Sequence, residues 1–335
     1  MVMAEPSTRT TALYRDALVW DMTVPGLGTG FNRSEVLLRY RRAGYTLISV
    51  TVATDKTLDP GVALKRLAGM RGFVQRHPDE LMLVGGVADI DQAKREGKLA
   101  VTFNLQGTNP LAGDVSWVEP FYRLGVTHML LAYNQKNLVG DGCAERTDAG
   151  LSRFGIRLIR EMNRVGMLVD GSHSGYRTTM EAIEICSGPF IFSHANAKAV
   201  FDHYRNIRDD QIRACAASGG VIGINGCGDF LAADKVVSAE RIFQHIDHVV
   251  SLVGARHAGI ALDFIEDGAR FAGMVGIEED QWPPNNGVKP EMANYSPPEI
   301  VPEVMDLMLA RGYADDDVRA ILGGNFRRVA AQVWR

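Results

Sequence analysis

The sequence contains no run approaching the ~20 consecutive apolar residues of a membrane span, and its opening stretch, MVMAEPSTRTTALYRD, lacks the apolar centre of a secretion signal. Both absences imply a soluble, cytoplasmic protein. Cysteine is scarce: four in 335 residues, Cys143, Cys186, Cys215 and Cys227, with no C-x-x-C pair. That spacing excludes a zinc knuckle or a redox dithiol and implies reduced, incidental thiols. Positive charge is not in excess, with 36 Lys and Arg against 40 Asp and Glu, and no basic block is interleaved with aromatics. Nucleic acid and anionic membrane are therefore not expected partners, which leaves small molecules. No repeat of solenoid length and no Pro/Gly/Ser linker divides the chain. A single domain over 1–335 is expected.

What is present is a large apolar fraction, 46%, enough to bury a sizeable core. Short β-rich runs alternate with amphipathic stretches: ALVWD (17–21), TLISVTV (46–52), AVTFNLQ (100–106), HMLLAY (128–133), MLVDGS (167–172), FIFS (190–193), GVIGING (220–226) and HAGIALD (257–263). This alternation is that of parallel strands covered by helices, and eight strands imply a closed, TIM-type (β/α)8 barrel. A further run, LMLVGGV (81–87), is assigned to an extra strand or hairpin outside it. SRFGIRLIREMNRVG has helical apolar spacing and closes on Gly166, while RDDQIRACAASGG starts with acids and stops at glycines. GIEEDQWPPNNGVKPEMANYS (276–296) reads as a long loop, of the kind that serves as a lid or an oligomer contact. The remainder reads as a C-terminal helical extension. GLGTGF (26–31) lacks the G-x-G-x-x-G spacing of a phosphate loop and reads as a turn.

In such a barrel, catalytic side chains emerge where the strands end, because several loops converge there on one mouth. His173 and His194 each follow an apolar run and a serine, at successive strand ends. They would be neighbours on the rim and could share a metal. Asp21, Thr23, Gln106, Tyr133, Asn134, Asn225 and Asp263 end other strands. Two neutral imidazoles with a carboxylate and a water suit zinc, which acidifies bound water. Each histidine alone reads as a hydrogen-bonded rim residue; the doubled Ser-His favours the metal.

The stretches GLSRFGIRLIREMNRVGMLVDGSH, PFIFSHANAKAVFDHYRNIRDDQIRACAASGGVIGIN, HAGIALDF and RGYADDDVRAILGGNFRRV resemble the renal (membrane) dipeptidase family of metallopeptidases, in the amidohydrolase superfamily. The likeness runs from about Asp16 to Arg335. It implies a distorted eight-stranded α/β barrel of the metal-dependent hydrolase type, a homodimer, and two zinc ions bridged by a glutamate. In that family one metal is held by an H-x-D pair ending the first strand, the other by histidines ending the fifth and sixth. His173 and His194 match the latter. Arg205, in HYRN, matches an arginine that binds substrate, and Asp263 the acid beside the metals.

Departures are equally specific. Where the family has D-G-H-N-D this chain reads WDMTVPG, which places Thr23 and Pro25, or in the other register Asp21 and Thr23, at the ligand positions. The bridging glutamate falls at Gln106, and a substrate-contacting histidine at Tyr133. A neutral amide offsets no repulsion between two dications. The expected cofactor is therefore one divalent metal, Zn2+, on His173 and His194, with Gln106 and Asp21 as further candidate ligands and the second site absent. Asp263 would move the proton, and Arg205 would clamp a substrate carboxylate. Without the likeness, Arg205 reads as a surface ion pair with Asp202, Asp209 or Asp210. Tyr133 either donates to an oxyanion or packs at the rim, and Asn134 and Asn137 touch substrate or build their loop. Asp21 ligates, orients a histidine or is structural. His203 reads as exposed, and His245 and His248 as surface or core-edge residues. The expected activity is hydrolysis of a dipeptide or small amide. The alternative is a barrel that keeps its shape but runs another reaction or only binds.

Overall fold

Eight parallel strands enclose an interior that is apolar at one end and polar at the other, in a computed structural model that describes residues 7–26, 33–266, 278–284 and 294–335. The strands are β1 (Trp20–Pro25), β2 (Leu47–Thr54), β3 (Leu81–Leu83), β4 (Leu99–Gln106), β5 (Val126–Leu130), β6 (Leu168–Asp170), β7 (Ile191–Phe192), β8 (Val221–Asn225) and β9 (Ala258–Ala261). Their order is β1-β2-β4-β5-β6-β7-β8-β9, with β3 paired to β4 off this path. The TIM-type barrel is as expected, and the run 81–87 supplies the extra strand. β1 is displaced from 17–21 to Trp20–Pro25, because Ala17 still caps the preceding helix, Thr8–Asp16, by donating its N–H to Leu13 O. Thr23 therefore lies inside the strand.

The period of two along a strand sorts the interior into layers. Trp20, Leu47, Ala100, Leu168, Ile191 and Val221 form an apolar layer at the strand starts, plugged by Phe326 and Val329 of the helix Asn325–Val333. Gly259 is required at that plug, since a Cβ there would lie against the Phe326 ring. Farther along, the inward positions turn polar: Ser49, Thr51, Asn104, His128, Asp170 and Ser193 are all fully buried. Thr51 donates to Asn104 Oδ1 (2.9 Å), Asn104 Nδ2 to Ser49 Oγ (3.1 Å), and His128 Nε2 lies 3.0 Å from that same hydroxyl. Helices cover the outside. Arg153–Val165 buries Leu158, Ile159 and Met162, starts on Ser152, whose hydroxyl accepts from Gly155 N, and ends on left-handed Gly166. Each such apolar side chain contributes ~1.5–3 kcal/mol on burial.

Among the described residues β1 and β9 share no ladder, and a side chain spans the seam instead. A register shift between Asp21 and Val24 bulges β1. Fully buried Asp21 accepts from Leu262 N (3.2 Å) and Tyr40 OH (3.0 Å) at Oδ2 and from Thr23 N (3.0 Å) at Oδ1. Among the described residues no helix is long and apolar enough to cross a membrane. Of the loop expected at 276–296, residues 278–284 and 294–296 are described; the rest, and GLGTGF beyond Gly26, lie outside the described residues.

Candidate active site

β6 ends on Asp170, and one oxygen of its carboxylate organises both histidine-bearing turns. Oδ1 accepts from Ser172 N (2.9 Å) and Ser193 N (3.0 Å), while Oδ2 accepts from His128 Nδ1 (3.2 Å). Ser172 Oγ accepts from His194 N (3.0 Å) and lies 3.3 Å from Ser193 Oγ. The doubled Ser-His is thus a structural device: both serines hang from one buried carboxylate, so the histidines after them leave neighbouring strands side by side. Burial alone would push the Asp170 pKa up, but the hydrogen bond and charge of His128, with help from His194 and Ser193, hold it at about 2.

The two imidazoles face each other, Nε2 to Nε2, at 2.9 Å. Their far nitrogens are anchored. His173 Nδ1 donates to Asn134 Oδ1 (2.7 Å), and His194 Nδ1 lies 2.7 Å from Ser193 Oγ and 3.1 Å from Thr23 Oγ1. Tyr133 stacks on the His173 ring at 4.0 Å. Burial, and then the Arg205 charge, lower both imidazole pKa values, His173 well below the usual range and His194 to about 3. Both rings are neutral at pH 7, the form in which histidine ligates a metal or takes a proton.

Arg205 is 2% exposed, not the surface residue its neighbours suggest. The three aspartates near it in sequence are occupied elsewhere: Asp202 pairs with Lys198 (2.5 Å), Asp209 with His248 (2.8 Å) and Asp210 with Tyr176 (2.7 Å). Its guanidinium lies 5.1 Å over the Phe230 ring and donates from Nη2 to His194 O (3.3 Å), while Nε is buried without a partner. Asp263 takes a left-handed φ of 56° and accepts from Asn225 Nδ2 (3.3 Å). Burial raises its pKa to about 7, against the pull of Arg205 and Asn225. Gln106 is buried and donates from Nε2 to Thr51 Oγ1 (3.0 Å).

Sequence reasoning missed several contributors. Asp55, just past β2, accepts from Asn109 N, Tyr133 N and Asn137 Nδ2, each at 2.9 Å, so Asn137 builds its loop. Trp282 stands with its ring centroid 5.8 Å from Tyr133, 5.9 Å from His173 and 6.3 Å from Phe230. The same segment receives Asn134 Nδ2 on Gln281 O (3.0 Å). The one available signal was a tryptophan beside two prolines in a long loop. His203 is buried, not exposed: it stacks on Tyr204 at 4.4 Å and its Nδ1 accepts from Arg205 N (3.1 Å). His245 is fully buried, accepting from Ala197 N and donating to Leu231 O, both at 3.1 Å.

The donor set can be tested against a metal. Ligand nitrogens at ~2.0–2.1 Å from one tetrahedral zinc ion lie ~3.3 Å apart; the Nε2 atoms, 2.9 Å apart at hydrogen-bond distance, would have to part by only a few tenths of an ångström to share a single ion. A bridged pair does not fit. Thr23 is hydrogen-bonded to His194, Gln106 carries no charge, and both Asp21 oxygens are taken. Among the described residues no group of three or more His, Cys, Asp or Glu converges.

The family model for the membrane dipeptidases, peptidase family M19, matches residues 34–335. An uncharacterized dipeptidase of Schizosaccharomyces pombe is 32% identical over 209 residues, 60% of this chain and 50% of that protein. The dipeptidase verJ of Clonostachys rogersoniana is 29% identical over 263 residues, 78% of this chain and 62% of that protein. The chain thus spans half to three fifths of these curated relatives. Among solved structures, an amidohydrolase from Pseudomonas aeruginosa superposes with a TM-score of 0.86 at 29% identity, covering 97% of this chain and 99% of its own.

Proposed function

The chain belongs to the membrane dipeptidase family, peptidase family M19, and from that premise we propose that it hydrolyses a dipeptide or related small amide bearing a free carboxylate. The carrying observation is the pair of neutral imidazoles, Nε2 to Nε2 at 2.9 Å with each Nδ1 anchored. One divalent cation, zinc first, held there by His173 and His194 would supply an acidified water and a Lewis acid.

The chain's own residues set the rest. Asn134 and the hydroxyls of Ser193 and Thr23 hold the rings in place. Arg205, buried beside them with a free Nε, receives the substrate carboxylate, and its planar fork suits a bidentate grip. Asp263, with a pKa near 7, takes a proton from water and returns it to the leaving nitrogen. Tyr133 and Trp282 wall the chamber and exclude solvent. Asp21 serves the barrel seam, and Gln106 offers its free oxygen. A cytoplasmic homodimer belongs to the same proposal, checked by cell fractionation and light scattering.

The test is metal content by mass spectrometry after purification without chelator, joined to hydrolysis of dipeptides with L and D C-terminal residues. Stoichiometric zinc without turnover of any dipeptide would refute the substrate assignment and leave the site. A second reading, a changed reaction or a pure binder, is favoured by neutral Gln106 and Thr23 where the family carries ligands. Under the binder reading His173→Ala alters neither metal content nor activity.

A further inference from the structure

Asn134 has three polar neighbours and divides them between the two ends of its amide. Oδ1 accepts from His173 Nδ1 (2.7 Å) and from Cys143 Sγ (3.3 Å), and Nδ2 donates to Gln281 O (3.0 Å). Gln281 precedes Trp282, the ring that stands over His173, Tyr133 and Phe230. Asn134 holds a left-handed φ of 62°, which asparagine tolerates better than most residues.

A primary amide cannot present the same end to both sides. Gln281 contributes only a backbone carbonyl, so Nδ2 must face it and Oδ1 must face His173. An oxygen facing Nδ1 requires a proton on Nδ1, and in a neutral imidazole that leaves Nε2 as a bare lone pair. We propose that Asn134 is a positioning residue that couples segment 278–284 to the tautomer of His173. With Trp282 down over the chamber, His173 is held as the Nδ1–H form, and its Nε2 lone pair faces His194 Nε2 at 2.9 Å, as acceptor in that pair and as the atom a metal would engage. The inference rests on the histidine pair being the functional centre, as argued above. By linkage, anything that engages His173 Nε2 also favours the lowered segment. Loop building alone predicts no such link, because the loop is tied without the Asn134 amide: Asn134 N donates to His173 O (3.2 Å), Ala144 N donates to Asn134 O (2.9 Å), and Asn137 Nδ2 donates to Asp55 Oδ2 (2.9 Å).

Two substitutions separate the ends of the amide. Asn134→Asp keeps an oxygen on His173 but turns a second oxygen toward the Gln281 carbonyl. Asn134→Gly removes both ends and suits the left-handed backbone. Acrylamide quenching of Trp282, taken as the difference between each protein and its Trp282→Phe counterpart, reports the segment. Ring-15N spectra, with His173 assigned through His173→Gln, report the tautomer. In Asn134→Asp, Trp282 quenching should rise about twofold or more as the segment opens locally, with His173 still Nδ1–H. In Asn134→Gly quenching should rise and the tautomer should become mixed. Zn2+ alone should reduce Trp282 quenching in the native protein and not in Asn134→Gly.

Trp282 as shielded in Asn134→Asp as in the native protein would overturn the coupling, and so would His173 as the Nε2–H form in the metal-free native protein. If Asn134→Asp does not fold, Asn134→Gly decides by the same criterion. Zinc binding without dipeptide turnover would fail the hydrolase proposal while leaving every one of these readouts able to support the coupling.

Discussion

Asp170 carries more of the site than either histidine does, because its Oδ1 fixes the backbone of both Ser-His pairs and its Oδ2 is matched to His128. Asp170→Asn leaves a buried, less well paired group and should cost about 3–5 kcal/mol. A fall in Tm measured by circular dichroism checks this, and zinc affinity by chelator competition should weaken about 10–100-fold as the rings lose their support. Arg205→Ala should raise KM for a carboxylate-bearing substrate by the equivalent of about 2–5 kcal/mol. The same substrate as its carboxamide should be far less affected, since it lacks the charge Arg205 pairs. The histidines were legible because the Ser-His doublet repeats locally. Arg205 was legible only through family likeness, since its sequence neighbours are aspartates and its burial depends on Phe230 from a later helix. Asp55 was not legible, because its partners are remote; Trp282 fell in the loop read as a lid or oligomer contact, but nothing in the sequence placed its ring beside His173.

At the scale of elements, the eight strands could be read because apolar, β-branched runs recur between helical stretches. Their ends were less legible. Only Ile191–Phe192 of FIFS forms a ladder, as Ser193 is already drawn to Asp170. Nothing in HAGIALD announced that Gly259 must stay bare where the C-terminal helix plugs the barrel. Gly259→Ala should force the Phe326 ring aside and cost about 1–3 kcal/mol. Phe326→Leu in the same chain should restore part of the lost Tm, because a smaller side chain vacates the space; no restoration would mean that the strain lies elsewhere.

For the molecule as a whole, buried histidines make acid the destabilising direction. Burial lowers the His245 pKa to about 4, while the Leu231 carbonyl opposes the shift; unfolded, it titrates at about 6.5. Between those values the unfolded chain binds the extra proton, so the stability His245 gives is full above about 6.5 and is lost as pH falls through about 4. His194 and His203, both at about 3, act in the same sense. Asp21, raised to about 7 chiefly by burial, acts oppositely: its contribution is full below about 3.9 and is lost as pH rises through about 7. His245→Gln, whose amide can keep both bonds, should lose less Tm than the native protein between pH 7 and pH 5.

The seam at Asp21 gives the barrel a clasp where every other neighbouring pair of its strands is stitched by backbone bonds. A hoop fastened this way breathes at its fastening. Transient gaping should therefore begin between the first and last staves, and in hydrogen–deuterium exchange the Leu262 amide should trade its proton well before those of β4 and β5. Asp21→Ala should bring that amide close to the exchange rate of a free peptide while the opposite wall stays protected.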